Sequence, residues 1–230
     1  MILPKKRKTN ATSDKKTKIL SGRSKGAKTM NRRSELLEIV DSSGKVIGLA
    51  ERSEFHGNPS MIHRVVHVLV FNKTGQLLLQ KRSKNKDTAP GKWDTSAGGH
   101  INPDEDTLDA ARREMQEELG ISGCELFFLH KYLYSSLLET ELVNTYACVY
   151  NGKILYNKEE IDEVGYWNFE DISGNFGSGL FSNNFECEIS ACMKMSGCLN
   201  LSFLSPENIF MDLEIKPDIK PVFNYPSCKK

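Results

Sequence analysis

Glu114, Glu117 and Glu118 stand three and four positions apart in the run Arg113-Glu114-Met115-Gln116-Glu117-Glu118-Leu119-Gly120-Ile121. On a helix that spacing gathers three carboxylates on one face. Left bare, they repel one another by about a few tenths of a kcal/mol per pair. A hard, oxygen-seeking cation such as Mg2+ or Mn2+ relieves that repulsion. Arg113 supplies a counter-charge able to orient a carboxylate such as Glu105. Gly99 permits a backbone angle that other residues resist, at the loop entering the helix. The residue types therefore suit metal-assisted chemistry on an anionic substrate; the bland alternative is a solvated, charge-rich helix.

The wider spacing narrows the choice. Gly99, five residues, Glu105, seven residues, then Arg113-Glu114-Met115 and Glu117-Glu118, Gly120 and Ile121 give nine defined positions over 23 residues. The pattern resembles the Nudix box, Gly-x5-Glu-x7-Arg-Glu-U-x-Glu-Glu-x-Gly-U, with U a bulky aliphatic residue. The resemblance implies an α/β Nudix fold, a mixed β-sheet sandwiched between helices. It also implies hydrolysis of a diphosphate linked to another group, as in a nucleoside diphosphate derivative or similar organic diphosphate. A cation would neutralise developing charge and activate water. Glu117 and Glu118, with Glu114, would hold that cation. One glutamate, in the box or elsewhere, would act as base, and which one stays open.

A second constellation lies outside the box. His56 and His63 flank His56-Gly57-Asn58-Pro59-Ser60-Met61-Ile62-His63, His100 follows Gly98-Gly99, and Glu139-Thr140-Glu141 comes later. The layout resembles type I isopentenyl-diphosphate isomerase, a Nudix-fold enzyme with a metal centre of three histidines and two glutamates. Carried over by position, the ligands would be His56, His63, His100, Glu139 and Glu141, a mixed set suited to Zn2+, Mn2+ or Mg2+. Arg82 and Lys86 match two of the isomerase's diphosphate-gripping residues, and Arg52 a third. The sequence departs from the isomerase in two ways. Gly98 occupies the position of its cysteine, and the box that the isomerase erodes is intact. The similarity is thus to Nudix hydrolases with an isomerase-like fold. An isomerase-like enzyme and a non-catalytic Nudix binding domain stand as alternatives.

Several elements must position these groups. Leu108, Ala111, Met115 and Leu119 recur at helical spacing and predict a helix over 107–119, closed by Gly120. Leu36–Val40 and Val46–Ile47 around Asp41-Ser42-Ser43-Gly44 predict an opening hairpin. Arg64–Phe71 and Gln76–Gln80 around Asn72-Lys73-Thr74-Gly75 give the strongest hairpin signal. Phe127–Tyr134, Leu142–Tyr150 and Val164–Trp167 read as strands, and Phe185–Met195 as a closing helix. The Nudix-like domain is expected over 35–197, with an extension of unassigned structure over 198–230.

Charge is divided along the chain. Residues 1–33 hold twelve Lys/Arg and one acid, leaving nineteen of the 31 bases against 29 of the 30 acids. Residues 1–34 therefore read as a basic arm too poor in apolar residues to order itself. Pro4-Lys5-Lys6-Arg7-Lys8 resembles a nuclear-import signal, or a weak, salt-sensitive nucleic-acid contact. The acidic remainder is a poor nucleic-acid binder. No run approaches the roughly 18 apolar residues of a membrane span, and no long apolar leader opens the chain. Six cysteines without a Cys-x2-Cys pair read as reduced thiols of a cytoplasmic or nuclear protein. The expected partner is a small-molecule diphosphate.

Overall fold

The computed structural model describes residues 35–198 and 222–224. The basic arm and most of the C-terminal extension lie outside the described residues. Leu36–Val40 (β1) and Val46–Glu51 (β2) form the expected antiparallel hairpin. The Asp41 carboxylate accepts from the Ser43 and Lys45 amides and fixes its turn. One helical turn, Arg52–Phe55 (α1), leads to the central strand Ile62–Phe71 (β3).

The turn Asn72–Gly75 does join β3 to Leu77–Arg82 (β4), but the two strands pair only at Phe71 and Leu77. Both runs are apolar on both faces, so each takes an interior place in the sheet with neighbours of its own. Trp93–Asp94 (β5) pairs with β4. Ala97–His100 (β6) pairs antiparallel with β3, Val65 opposite His100 and Val66 opposite Gly99. Next comes the helix Thr107–Leu119 (α2), as predicted. The Asp106 side chain accepts from Leu108 N–H at its start, and Gly120 closes it in the left-handed region at φ 67°.

Phe127–Ser135 (β7) and Thr140–Val149 (β8) are antiparallel neighbours. β8 runs parallel to β3 over its full length, and the register sets His63 beside Glu141. Ile161–Trp167 (β9) flanks β4. A short helix, Phe169–Gly174 (α3), precedes the closing helix Asn183–Cys198 (α4). Val222–Asn224 (β10) adds a parallel strand beside β7.

Strand alternation divides the core. Val66, Val68 and Val70 of β3 pack with Ala110, Ala111, Met115 and Leu119 of α2. Leu69 and Phe71 join Phe181, Phe185 and Ile189 at α4. The mixed sheet is thus sandwiched between α2 and α4, and each large aliphatic or aromatic side chain so buried stabilises it by about 1.5–3 kcal/mol. By the same alternation His63 and His67 share the face of Leu69 and Phe71. Among the described residues no helix is long and apolar enough to cross a membrane. Cys124 and Cys148 are free thiols. Cys187 is disulfide-bonded, which corrects the expectation that all six thiols are reduced.

Candidate functional site

The apolar stripe of α2 docks on the sheet and leaves its glutamates against β6. Glu118 is buried. Its Oε2 accepts from the Gly98 amide at 3.1 Å and from Gln80 Nε2 at 2.8 Å. Burial, reinforced by the neighbouring Glu114 charge, raises its pKa to about 8. Burial also raises Glu114. Glu117 stands at the solvent side of the same face.

Gly99 is needed for a different reason from the one expected. It lies in a strand rather than a loop, and it is absent from the glycines with positive φ. A Cβ at this position would lie 2.3–2.6 Å from the Glu114 carboxylate. Its role is to give room to Glu114.

Arg113 is the hub of the box. Its Nε and one terminal nitrogen grip both Glu105 oxygens at 2.8 and 2.9 Å. The other terminal nitrogen reaches Glu114 at 2.6 Å and Glu117 at 3.3 Å. The terminal nitrogen that grips Glu105 also donates to the His100 carbonyl at 2.9 Å, tying α2 to β6. Arg113 in turn lowers the Glu105 pKa. Glu105 further accepts from Asn102 N–H and Nδ2. Glu105 therefore sits behind Arg113, outside the cleft lining.

Of the five isomerase-like ligands, His63, Glu139 and Glu141 come together, with one donor atom from each within 4.8 Å of the others. His63 is buried, and neither of its ring nitrogens has a hydrogen-bond partner. Burial pushes its pKa down to about 3, so the ring is neutral and able to ligate. Burial, with Glu139 close by, raises Glu141 to about 7. The ring of His100 lies 5.2 Å from that of His63, but its Nδ1 is engaged by Glu35 at 2.9 Å. His56 is exposed at the end of α1, outside the three-residue cluster.

Both groups open on one cleft of about 860 Å3, the size range of small-molecule sites. Arg52, Arg82, Lys86 and Gly99 line it, as do His100, Glu139, Glu141 and the three box glutamates. Arg82 is braced by Thr88 and Asp94, and Lys86 by Glu160 at 2.7 Å. Nine carboxylates and five Lys/Arg share the lining. An anionic substrate entering this excess of negative charge needs cations as bridging partners.

Sequence reasoning overlooked the contributions of α4. Asn184 Nδ2 donates to Glu141 at 2.7 Å, and Glu188 bonds His67 Nδ1 at 2.9 Å. The available signal was a glutamate beside Ile189 on the buried face of a helix, and a histidine inside the apolar run of β3. Lys92 and Asp94 also line the cleft without having been singled out.

A glutamate-bearing helix laid over a mixed sheet, its carboxylates opening on a cleft edged with cations, defines a hydrolase of phosphoric anhydrides. The NUDIX domain model matches residues 61–183. An uncharacterised Nudix hydrolase of Yersinia pestis is 36% identical over 143 residues, covering 60% of this chain and 76% of that one. An isopentenyl-diphosphate Delta-isomerase of Streptomyces avermitilis is 32% identical over 162 residues, covering 68% and 82%. A Deinococcus radiodurans protein of solved crystal structure superposes with a TM-score of 0.61 at 23% identity, covering 69% of this chain and 99% of that one. The chain belongs to the Nudix family and is an enzyme of its pyrophosphohydrolase type.

Proposed function

We propose that the protein hydrolyses the diphosphate linkage of a nucleoside diphosphate derivative or a similar organic diphosphate, with Mg2+ or Mn2+ held by Glu114, Glu117 and Glu118. The observation that carries this reading is the intact glutamate face, clamped by Arg113 and open to a cleft edged with Arg52, Arg82, Lys86 and Lys92. The residues fit a hard cation: buried Glu118 and part-buried Glu114 are both raised above the ordinary carboxylate range, Glu118 with Glu114 as a repelling neighbour. When bound, the cation supplies charge neutralisation at the phosphate oxygens and lowers the pKa of water.

The protein's own groups do the rest. Arg82 and Lys86 bind the diphosphate from the β4 side, and Arg52 from α1. Arg113 holds the glutamates in register, and Gly99 keeps Glu114 clear of β6. A box glutamate, or Glu141 or Glu160 nearby, takes the proton from the attacking water.

His63, Glu139 and Glu141, with His100, fit a second cation of the Zn2+ or Mn2+ type. Among the described residues the buried nitrogens of His63 have no hydrogen-bond partner, Nε2 lying 3.8 Å from Glu141 Oε1, and such atoms are costly to leave unsatisfied. This cluster is what favours the isomerase as a second reading. Against it, no cysteine among the described residues lines the cleft, and a Cβ at position 98 would lie 2.9 Å from the Val66 carbonyl oxygen.

Phosphate release from nucleoside diphosphates, capped dinucleotides, nucleotide sugars and isopentenyl diphosphate, each with Mg2+ or Mn2+, tests the proposal. Metal-dependent cleavage of at least one is expected. Conversion of isopentenyl diphosphate without phosphate release would install the isomerase in its place.

A further inference from the structure

We propose that His67 is a substrate-contacting residue whose Nε2 donates a hydrogen bond to a phosphate oxygen of the bound diphosphate, with Glu188 as its positioning residue. The inference rests on the hydrolase reading above and extends it to a strand and a helix outside the box.

His67 lines the floor of the cleft from β3. Its Nδ1 meets Glu188 Oε2 at 2.9 Å. Glu188 is wholly buried, and its other oxygen accepts from the Thr145 hydroxyl. His130 lies behind it, Nε2 at 3.9 Å. The ring is therefore gripped from the protein interior by one nitrogen, and the opposite edge, Cδ2 and Nε2, is turned away from that grip.

What lies along that edge is β6, the strand that leads into the box. A Cβ on Gly98 would come within 2.9 Å of His67 Cδ2, and the Gly98 amide donates to Glu118. Only a glycine lets the ring approach β6, the strand whose amide holds Glu118. His67 thus lies on β3 between β6, which leads into the box, and β8, which carries Glu141, and it lines the cleft that a diphosphate would enter.

The charge fits the role. Burial lowers the basicity of the ring, but the Glu188 carboxylate outweighs it and, with Asp94 and Glu141 also facing the ring, raises its pKa to about 9. Both nitrogens then carry protons. Nδ1–H satisfies the buried carboxylate, and Nε2–H is left for a ligand, a charge-assisted donor of the kind that holds phosphate oxygens. A purely structural ion pair would need no edge exposed to the cleft.

The test is imidazole 1H–15N NMR of the full chain with Mg2+, titrated with inorganic pyrophosphate, the His67 resonances assigned through the backbone of β3. The His67 Nε2 signal is expected to move on saturation while Nδ1 holds still. In parallel, His67→Gln should weaken pyrophosphate binding by about tenfold or more, with the bound Mg2+ count unchanged. A wild-type Nε2 that does not move while pyrophosphate saturates the protein overturns the assignment, whether or not the variant folds. So does a His67→Gln dissociation constant within twofold of wild type. A wild-type chain that binds no pyrophosphate in Mg2+ overturns the hydrolase reading and this inference with it.

Discussion

Replacing Glu118 with Gln removes a charge while keeping the volume and the two hydrogen bonds that Gly98 and Gln80 direct at this position. The magnitude follows from the raised pKa. Folding moves Glu118 from 4.5 to about 8. At about 1.4 kcal/mol per pH unit, holding it ionised in the metal-free protein costs on the order of 5 kcal/mol above pH 8 and about 3 kcal/mol at pH 7. A raised carboxyl pKa means that the native state binds a proton the unfolded chain has released. Metal-free stability therefore falls as pH rises from about 4.5 to about 8, and is level below that window. Gln carries no such slope. For a domain of this size about 2–4 °C accompanies each kcal/mol, so even half the calculated relief raises the Tm of Glu118→Gln at pH 8 by about 5–10 °C.

Adding Mg2+ should reverse the order. The wild type gains stability through binding, whereas the variant, lacking one ligand charge, gains much less. Turnover should drop about a hundredfold or more, the scale set by removing one group that stabilises developing charge. Thermal melts at pH 5 and pH 8, in EDTA and in Mg2+, with phosphate release alongside, measure each quantity. A variant no more stable than wild type at pH 8 in EDTA would refute the electrostatic argument. Turnover within a few-fold of wild type would refute the metal assignment.

The paired glycines should separate stability from activity. Gly99→Ala sets its Cβ against the far end of Glu114, so Tm should hold within about 3 °C while turnover falls about tenfold or more. Gly98→Ala meets the backbone oxygen of Val66 and should destabilise by about 1–3 kcal/mol, seen in a denaturant titration. His63→Asn combined with His100→Asn should lower the Mn2+ count by one near neutral pH while leaving Mg2+ at the box; equal counts by elemental analysis would make these histidines structural.

The box was legible because its information is local. A helix repeats every 3.6 residues, so Glu114, Glu117, Glu118 and the stripe Leu108, Ala111, Met115 and Leu119 announce both the helix and its two faces. Gly120 marks its end. The strand Ala97–His100 was not legible, because two glycines lower strand propensity and the reason for them lies across the sheet, in Glu114 and Val66. The β3–β4 turn was read correctly, yet its strands diverge, since a turn signal says nothing about partners further along. Glu188 and His67 are 121 residues apart. Neither carries a spacing that would link them, and only the packing of α4 on the sheet does so.

The sheet register also accounts for the choice of chemistry. Parallel pairing of β3 with β8 sets His63 beside Glu141, and antiparallel pairing of β3 with β6 sets Val65 beside His100 and Val66 beside Gly99. One strand therefore carries the nitrogen-rich cluster on one neighbour and backs the carboxylate helix through the other. An isomerase needs a proton donor aimed at an alkene from position 98. Here that position is filled from the other side by the His67 ring and the Val66 carbonyl, and its amide is committed to Glu118. In place of a thiol, an imidazole edge comes up to β6 beside the amide that holds Glu118. Carboxylates on α2 that suit a cation, an imidazole in the cleft lining and Lys/Arg at its rim fit phosphate oxygens once that cation is held, as the proposed hydrolysis of a diphosphate requires.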